Sequence, residues 1–451
     1  MSNSLENKIN LTSLIKYTLP TVIMMVFFSL STIIDGIVVS RYVGENALSA
    51  TNIVYPVINI LIGISIMFAT GGNAIVAKYM GEGKNQEAKE TFTLITLSAL
   101  AVGLIVALLS ILFIKNIIYG LGSTDSLYKN SFDYLIVFLI FAPVMIAKLF
   151  FDYFLVTAGV PKLGLISSVS GGILNIILDY VLIVVFKMGA LGAALATCIS
   201  YALPAMVGVI YFSKKSNILC FAKPKFNMKL ILDSCMNGSS EMVTQMSGAV
   251  TTFLYNIAML KFLGEDGVAS ITIILYVQFL LNSAFLGFTS GVSPRISYNY
   301  GSKDEEQIRK LIKYSFIIIS VFAISIFVSS RYFSDIIISM FSLKGSNLYN
   351  ITLSGFMIFS FNFLVVGINI FTSGMFTAFS NGKISATLSI LRTFILFTIG
   401  IIILPRFLGV NGVWLVVPFA EFTTLIVSII FINKYKHTYM YGKKNVDLNL
   451  A

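Results

Sequence analysis

The chain has 451 residues, of which 57% are hydrophobic and only 11% charged, whereas a soluble domain carries about 25% charged residues. Apolar runs of about 20 residues recur along the whole length, each long enough to cross about 30 Å of hydrocarbon as a helix, so a water-soluble fold is excluded. The net charge of +11 is spread over the short connections between these runs, which argues for a positive-inside topology and against nucleic acid as a partner.

In chain order the predicted membrane helices are 13–40, 48–79, 89–114, 132–156, 163–186 and 190–213, then 233–260, 268–298, 309–331, 351–376, 383–405 and 411–433. The first is too long for the apolar core of a signal peptide and lacks a small-residue cleavage pattern, so it reads as a retained helix. Gly44-Glu45-Asn46, Gly81-Glu82-Gly83-Lys84 and Gly345-Ser346-Asn347 punctuate the gaps. The longest hydrophilic connection, 214–232, carries Lys214, Lys215, Lys223, Lys225 and Lys229 and reads as a basic cytoplasmic linker held at lipid headgroups. It separates an N-terminal six-helix lobe (1–213) from a C-terminal one (233–433), and a tail (434–451) follows. With the N terminus in the cytoplasm, most Lys and Arg fall on cytoplasmic segments. The expectation is a multi-pass protein of the cell membrane, embedded in the lipid bilayer as a monomer, with both termini cytoplasmic.

Shifting the sequence against itself by 220 residues places Gly44-Glu45 on Gly264-Glu265, Phe68 on Phe288, Gly71 on Gly291 and Gly81 on Gly301. The same shift, read without a gap, pairs Thr157-Ala158 with Thr377-Ala378, Gly189 with Gly409 and Gly192 with Gly412. Six helices per half give both halves the same orientation. Parallel repeats related by an axis along the membrane normal are a transporter plan, with cargo bound between the halves and alternating access by rocking.

Catalytic chemistry is missing. Gly83-Lys84 is followed by Asn85 rather than Ser or Thr, so no phosphate loop is present and ATP cannot drive transport directly. Cys198, Cys220 and Cys235 have no metal-ligand spacing, and the single histidine, His437, lies in the polar tail. The chain is not expected to be an enzyme or to hold a cofactor. The energy source is then an ion gradient or the cargo's own gradient.

Ionisable residues within the apolar runs cost about 2.5–3.5 kcal/mol each on insertion scales, which makes each one a functional candidate. Lys148 and Asp152, one turn apart, are expected to neutralise each other as an i,i+4 ion pair. Arg295, within a turn of a helix end, is expected to snorkel to the interface. Two groups remain. In the N-terminal half, Asp35, Asn175, Asp179 and Thr197 lie at similar depth below the extracellular ends of their helices, and Asn175 shares a helix face with Asp179. Two carboxylates, an amide carbonyl and a hydroxyl are the hard oxygen donors that a small cation prefers. In the C-terminal half, Glu241, Arg392 and Glu421 share a depth, with Arg392 expected to pair with Glu421 and Glu241 expected to line a cavity as a cargo or proton site.

These features resemble the multidrug and toxic compound extrusion (MATE) family, in its bacterial branch with an aspartate in the first helix. The resemblance rests on Asp35-Gly36 through Arg41-Tyr42-Val43-Gly44, on Gly291 through Gly301, on Asn175-Ile176-Ile177-Leu178-Asp179 and on Gly189 through Ala194, and it runs from about residue 12 to about residue 433. It implies an all-α membrane protein with twelve helices in two parallel bundles forming a V, exporting organic and often cationic molecules in exchange for Na+ or H+. It also implies a cation site at Asp35, Asn175, Asp179 and Thr197. The seventh helix departs from the family pattern: it opens Gly238-Ser239-Ser240-Glu241, where relatives often show Gly-x-Pro. The alternative is a flippase for lipid-linked or polysaccharide precursors. An acidic central chamber would favour organic cations, and a basic one lipid phosphates.

Overall fold

The structure, a computed structural model, describes residues 5, 6 and 8–442, so the last part of the predicted tail, 443–451, lies outside the described residues. The N-terminal half contains α1 (Leu11–Val38), which continues as a π-helical turn (Val39–Val43), then α2 (Glu45–Gly81), α3 (Asn85–Leu112), the short α4 (Ile114–Gly120), α5 (Asp125–Ile140), α6 (Ala142–Thr157), α7 (Pro161–Asp179) with a π-helical extension (Tyr180–Val185), and α8 (Gly189–Ser213). The C-terminal half contains α9 (Met228–Gly301), α10 (Glu305–Tyr332), the short α11 (Ser334–Ser339), α12 (Asn347–Phe359), α13 (Val366–Ala378), α14 (Gly382–Ile390) with a π-helical turn (Leu391–Ile395), α15 (Leu396–Trp414) and α16 (Val416–Tyr435).

Among the described residues, ten continuous helices are long and apolar enough to cross a membrane. The bent pair α5 and α6 adds an eleventh span. The 74 residues of α9 are two antiparallel arms joined at Gly264, whose φ of 65° and ψ of −150° no helix contains, and this raises the total to twelve. Gly409, at φ 56° and ψ −136°, likewise turns the chain between the last two spans. The predicted helix 132–156 is corrected: it begins at Asp125 and breaks at Phe141, where α5 and α6 meet at 59°. Pro143 opens the second arm at a position where its missing N–H costs nothing. Hydropathy averages over a bend and cannot register it.

The repeat is visible in the backbone. Left-handed φ values occur at Gly44 and Gly264, at Gly83 and Lys303, and at Gly189 and Gly409, each pair 220 residues apart. The corners at Gly159 and Ser380 are 221 apart, so the second half carries one extra residue between Lys303 and Ser380 and one fewer between Ser380 and Gly409, and the ungapped pairing is corrected. Where the halves meet, contact is close enough to need glycine. A Cβ on Gly81 would collide with the Tyr298 carbonyl, and one on Gly301 with the Lys78 carbonyl. These residues exchange under the same shift, so a pseudo-twofold axis passes between α2 and the second arm of α9. Gly71 and Gly238 form a second such approach, through Ser234 and Met67.

Each lobe has its own apolar core. Phe92 packs against Phe150, Phe154, Phe212 and Phe221 in the first, and Phe285, Phe371, Phe376 and Trp414 are buried in the second. Large apolar side chains such as Ile105, Leu108, Leu112, Phe253, Leu260, Val321 and Ile426 remain exposed around the outside. Bundles apolar on core and rim alike belong in lipid. The lysine-rich connection is shorter than predicted, because α9 already begins at Met228, capped by Asn227 through its side-chain oxygen. It runs against the first lobe: Ala222 donates its N–H to Thr93 Oγ1 at 3.0 Å, and Lys225 pairs with Glu90 at 3.0 Å. His437 is exposed, while Tyr439 folds back to stack on Phe379 at 4.6 Å between ring centroids.

Candidate functional site

Between the lobes lies a cavity of about 180 Å³. Its wall is mostly N-lobe: Asp35 and Phe28 from α1, Tyr55 from α2, Tyr134 from α5, Lys148 and Asp152 from α6, Asn175 from α7, and Thr197 and Tyr201 from α8. Glu241, Gln245, Phe279 and Ser283 face it from the two arms of α9. Phenols aside, its acidic and basic lining therefore comprises three carboxylates and one ammonium, set among aromatic rings and methionines such as Met24 and Met25.

Asp179 is fully buried at the end of α7, immediately before the π-helical turn, and neither of its carboxylate oxygens has a hydrogen-bond partner. The Asp35 carboxyl stands within hydrogen-bonding reach of it, and Asp35 Oδ1 is also buried without a partner. Two carboxyls this close, with no protein donor between them, need a shared proton or a bound cation to offset their charge. Asn175, one turn before Asp179 on α7, and Thr197 line the same cavity as Asp35: the Asn175 amide donates to Thr197 Oγ1 at 3.4 Å, while that hydroxyl donates to the Ala193 carbonyl at 3.1 Å. All four sequence-predicted residues thus come together. The π-helical turns were not legible in the sequence. One follows Asp35 by a single turn, one follows Asp179 directly and one contains Arg392, and such turns are often found at functional sites because their wider ring shifts the backbone register.

In the second lobe, Arg392 Nε stands 3.7 Å from Glu421 Oε1, with both side chains buried. Glu421 Oε2 accepts from the Asn369 amide at 2.8 Å, and Asn369 Oδ1 accepts from Ser428 at 3.0 Å. Glu241 faces the chamber while still lying within the field of the Arg392 charge, whereas Arg392 itself does not line that cavity.

Lys148 and Asp152 pair at 2.8 Å, and Ser168 donates to the other Asp152 oxygen at 2.7 Å. The ammonium also lies over the rings of Phe28 and Tyr201, at 4.8 and 5.2 Å from their centroids. Self-neutralisation was legible from the i,i+4 spacing, but the position on the chamber wall was not. Arg295 is a correction. Rather than snorkelling, it is 2% exposed, with its guanidinium carbon 4.1 Å from the centroid of the Tyr17 ring in the other lobe. A partner across the lobe boundary is invisible to a reading that treats each helix alone. The tyrosines of the chamber were missed for a related reason: with 21 in the chain, nothing marks the few that face inward.

Comparison with known proteins agrees with this architecture. Multidrug export protein MepA of Staphylococcus saprophyticus is 25% identical over 402 residues, covering 86% of each chain. A Staphylococcus aureus MepA is 26% identical over 399 residues, covering 86% of this chain and 87% of its own. A solved structure described as the outward-facing conformation of a multidrug resistance MATE family transporter superposes with a TM-score of 0.91 at 20% identity, over 98% of this chain and 99% of that one. These proteins are transporters, not enzymes. The MatE family model matches twice, at residues 20–181 and 241–402, once in each lobe, and the chain belongs to that family of membrane transporters.

Proposed function

We propose that this protein is a secondary active exporter of organic cations in the cell membrane, exchanging cargo for Na+ or H+ by alternating access of its two lobes. The observation that carries this reading is the chamber: three carboxylates against one ammonium, and that ammonium already paired with Asp152. An acidic, aromatic-lined cavity attracts flat lipophilic cations through its field and through ring faces. A flippase for lipid pyrophosphates would need cationic groups turned inward, and Arg392 is held by Glu421 away from the cavity. Asp35, Asn175, Asp179 and Thr197 act as the coupling-ion site. Neutralising the Asp35–Asp179 pair alters the end of α1, which also forms the chamber wall, and this links ion occupancy to cargo release. Charge bias of the connections supports cytoplasmic termini, and the chain works as a monomer. In cells stripped of their own efflux pumps, expression lowers ethidium accumulation; unchanged accumulation of every cation tested, together with translocation of a lipid-linked sugar, would replace this reading with the flippase.

A further inference from the structure

A second cavity, of about 30 Å³, adjoins the chamber where the lobes meet, room for about one water or one small cation. Both lobes build it: Thr70 and Asn73 from α2, Glu241, Thr289 and Ser290 from the two arms of α9, and Thr377 from α13. Glu241 lines both cavities and so stands at their boundary.

Three of the hydroxyls around this space, which Tyr153 and Ser293 also line, have their protons turned away from it. Thr70 Oγ1 donates to the Ile66 carbonyl at 2.8 Å, Ser290 Oγ to the Gly287 carbonyl at 3.1 Å and Thr377 Oγ1 to Ser385 Oγ at 2.8 Å. A hydroxyl whose one proton is committed in this way presents only acceptor sites to the cavity. Asn73 Oδ1 and Thr289 Oγ1 are buried with no partner, although buried polar atoms almost always find one. Among the described residues, no Lys, Arg or His lines the cavity. One carboxylate with a shell of neutral oxygens is a donor set suited to a hard monovalent cation.

We propose that this interlobe cavity is a second cation site, holding one Na+ between Glu241 and the oxygens of Asn73, Thr289, Thr70, Ser290 and Thr377. It is separate from the Asp35–Asp179 pair and does not depend on the coupling role given to that pair. Because its donors come from both lobes, the site is complete only while the lobes are joined here. Binding therefore favours that arrangement over the one in which they part.

The test is the melting temperature of the full chain in detergent, titrated with Na+ against choline at fixed ionic strength. It is done in the Asp35→Asn/Asp179→Asn background, which removes the charge of the first site. Na+ is expected to raise the melting temperature there while choline does not. Thr289→Val, which keeps the shape and deletes the oxygen, should raise the half-saturating Na+ concentration about tenfold. Asn73→Asp, which puts a charged oxygen in the same place, should lower it by a similar factor at alkaline pH, a gain that a damaged fold cannot mimic. The proposal is overturned if choline stabilises equally, if the background shows no response to Na+, or if both variants leave the midpoint unchanged. In each of those cases the cavity holds water only.

Discussion

At the scale of single residues, the informative side chains are charges that the bilayer would reject unless something held them. Asp35 and Asp179 face each other without a protein donor, so replacing either by Asn leaves one carboxyl beside an amide that can donate to it and removes the repulsion that calls for a bound cation or a shared proton. Each single variant should reach the membrane at normal levels yet lose at least tenfold in gradient-driven efflux; wild-type rates with unchanged ion dependence for both would remove the pair from coupling. The Lys148–Asp152 pair makes a different prediction, about stability. Removing one partner of a buried pair costs about 3–5 kcal/mol because the other is stranded. Lys148→Met should therefore sharply reduce monodisperse protein on gel filtration, and Lys148→Met with Asp152→Leu should recover most of it. The sequence exposed these residues because an acid or base inside an apolar run is rare. It could not reveal that Arg295 finds Tyr17, or that Glu241 sits at the junction of two cavities, since both depend on how the lobes meet.

At the scale of elements, the lengths of the apolar runs located every span to within a few residues except the fourth, whose bend at Phe141 has no hydropathy signature. The glycines divide into two kinds that the sequence does not distinguish. Gly44, Gly264, Gly189 and Gly409 turn corners with left-handed φ, whereas Gly81 and Gly301 lie in helices that touch backbone to backbone. Gly81→Val should thus block the approach of α2 to the second arm of α9 and abolish transport while each lobe stays folded, which limited proteolysis of the purified variant can establish. A Cβ added to Gly248 would meet nothing within 4 Å, and Gly248→Ala should be tolerated, with a gain of about 0.5–1 kcal/mol in helix stability read as a small rise in melting temperature. Equal damage from both substitutions would contradict the interface described here.

At the scale of the whole molecule, the two lobes repeat one scaffold and divide the chemistry between them. Left-handed corners recur at the repeat spacing, yet the carboxyl pair belongs to the first lobe and the Arg392–Glu421 network to the second. That duplication was readable from glycines at one constant offset; the asymmetry was readable from where the charges fell. What the sequence lacked was the shape of the space between the lobes, because its lining is drawn from six or more helices and mixes ordinary tyrosines, threonines and methionines with the rare acids. The proposed mechanism couples an ion held in the first lobe to a cation carried in the acidic chamber. Its most direct test is ethidium efflux from proteoliposomes with a Na+ gradient and a proton gradient imposed separately, comparing wild type with Asp35→Asn/Asp179→Asn. At least one gradient should accelerate wild-type efflux, and the double variant should lose this acceleration while still binding ethidium. Acceleration of equal size in the double variant, or transport indifferent to both gradients in the wild type, would contradict this mechanism.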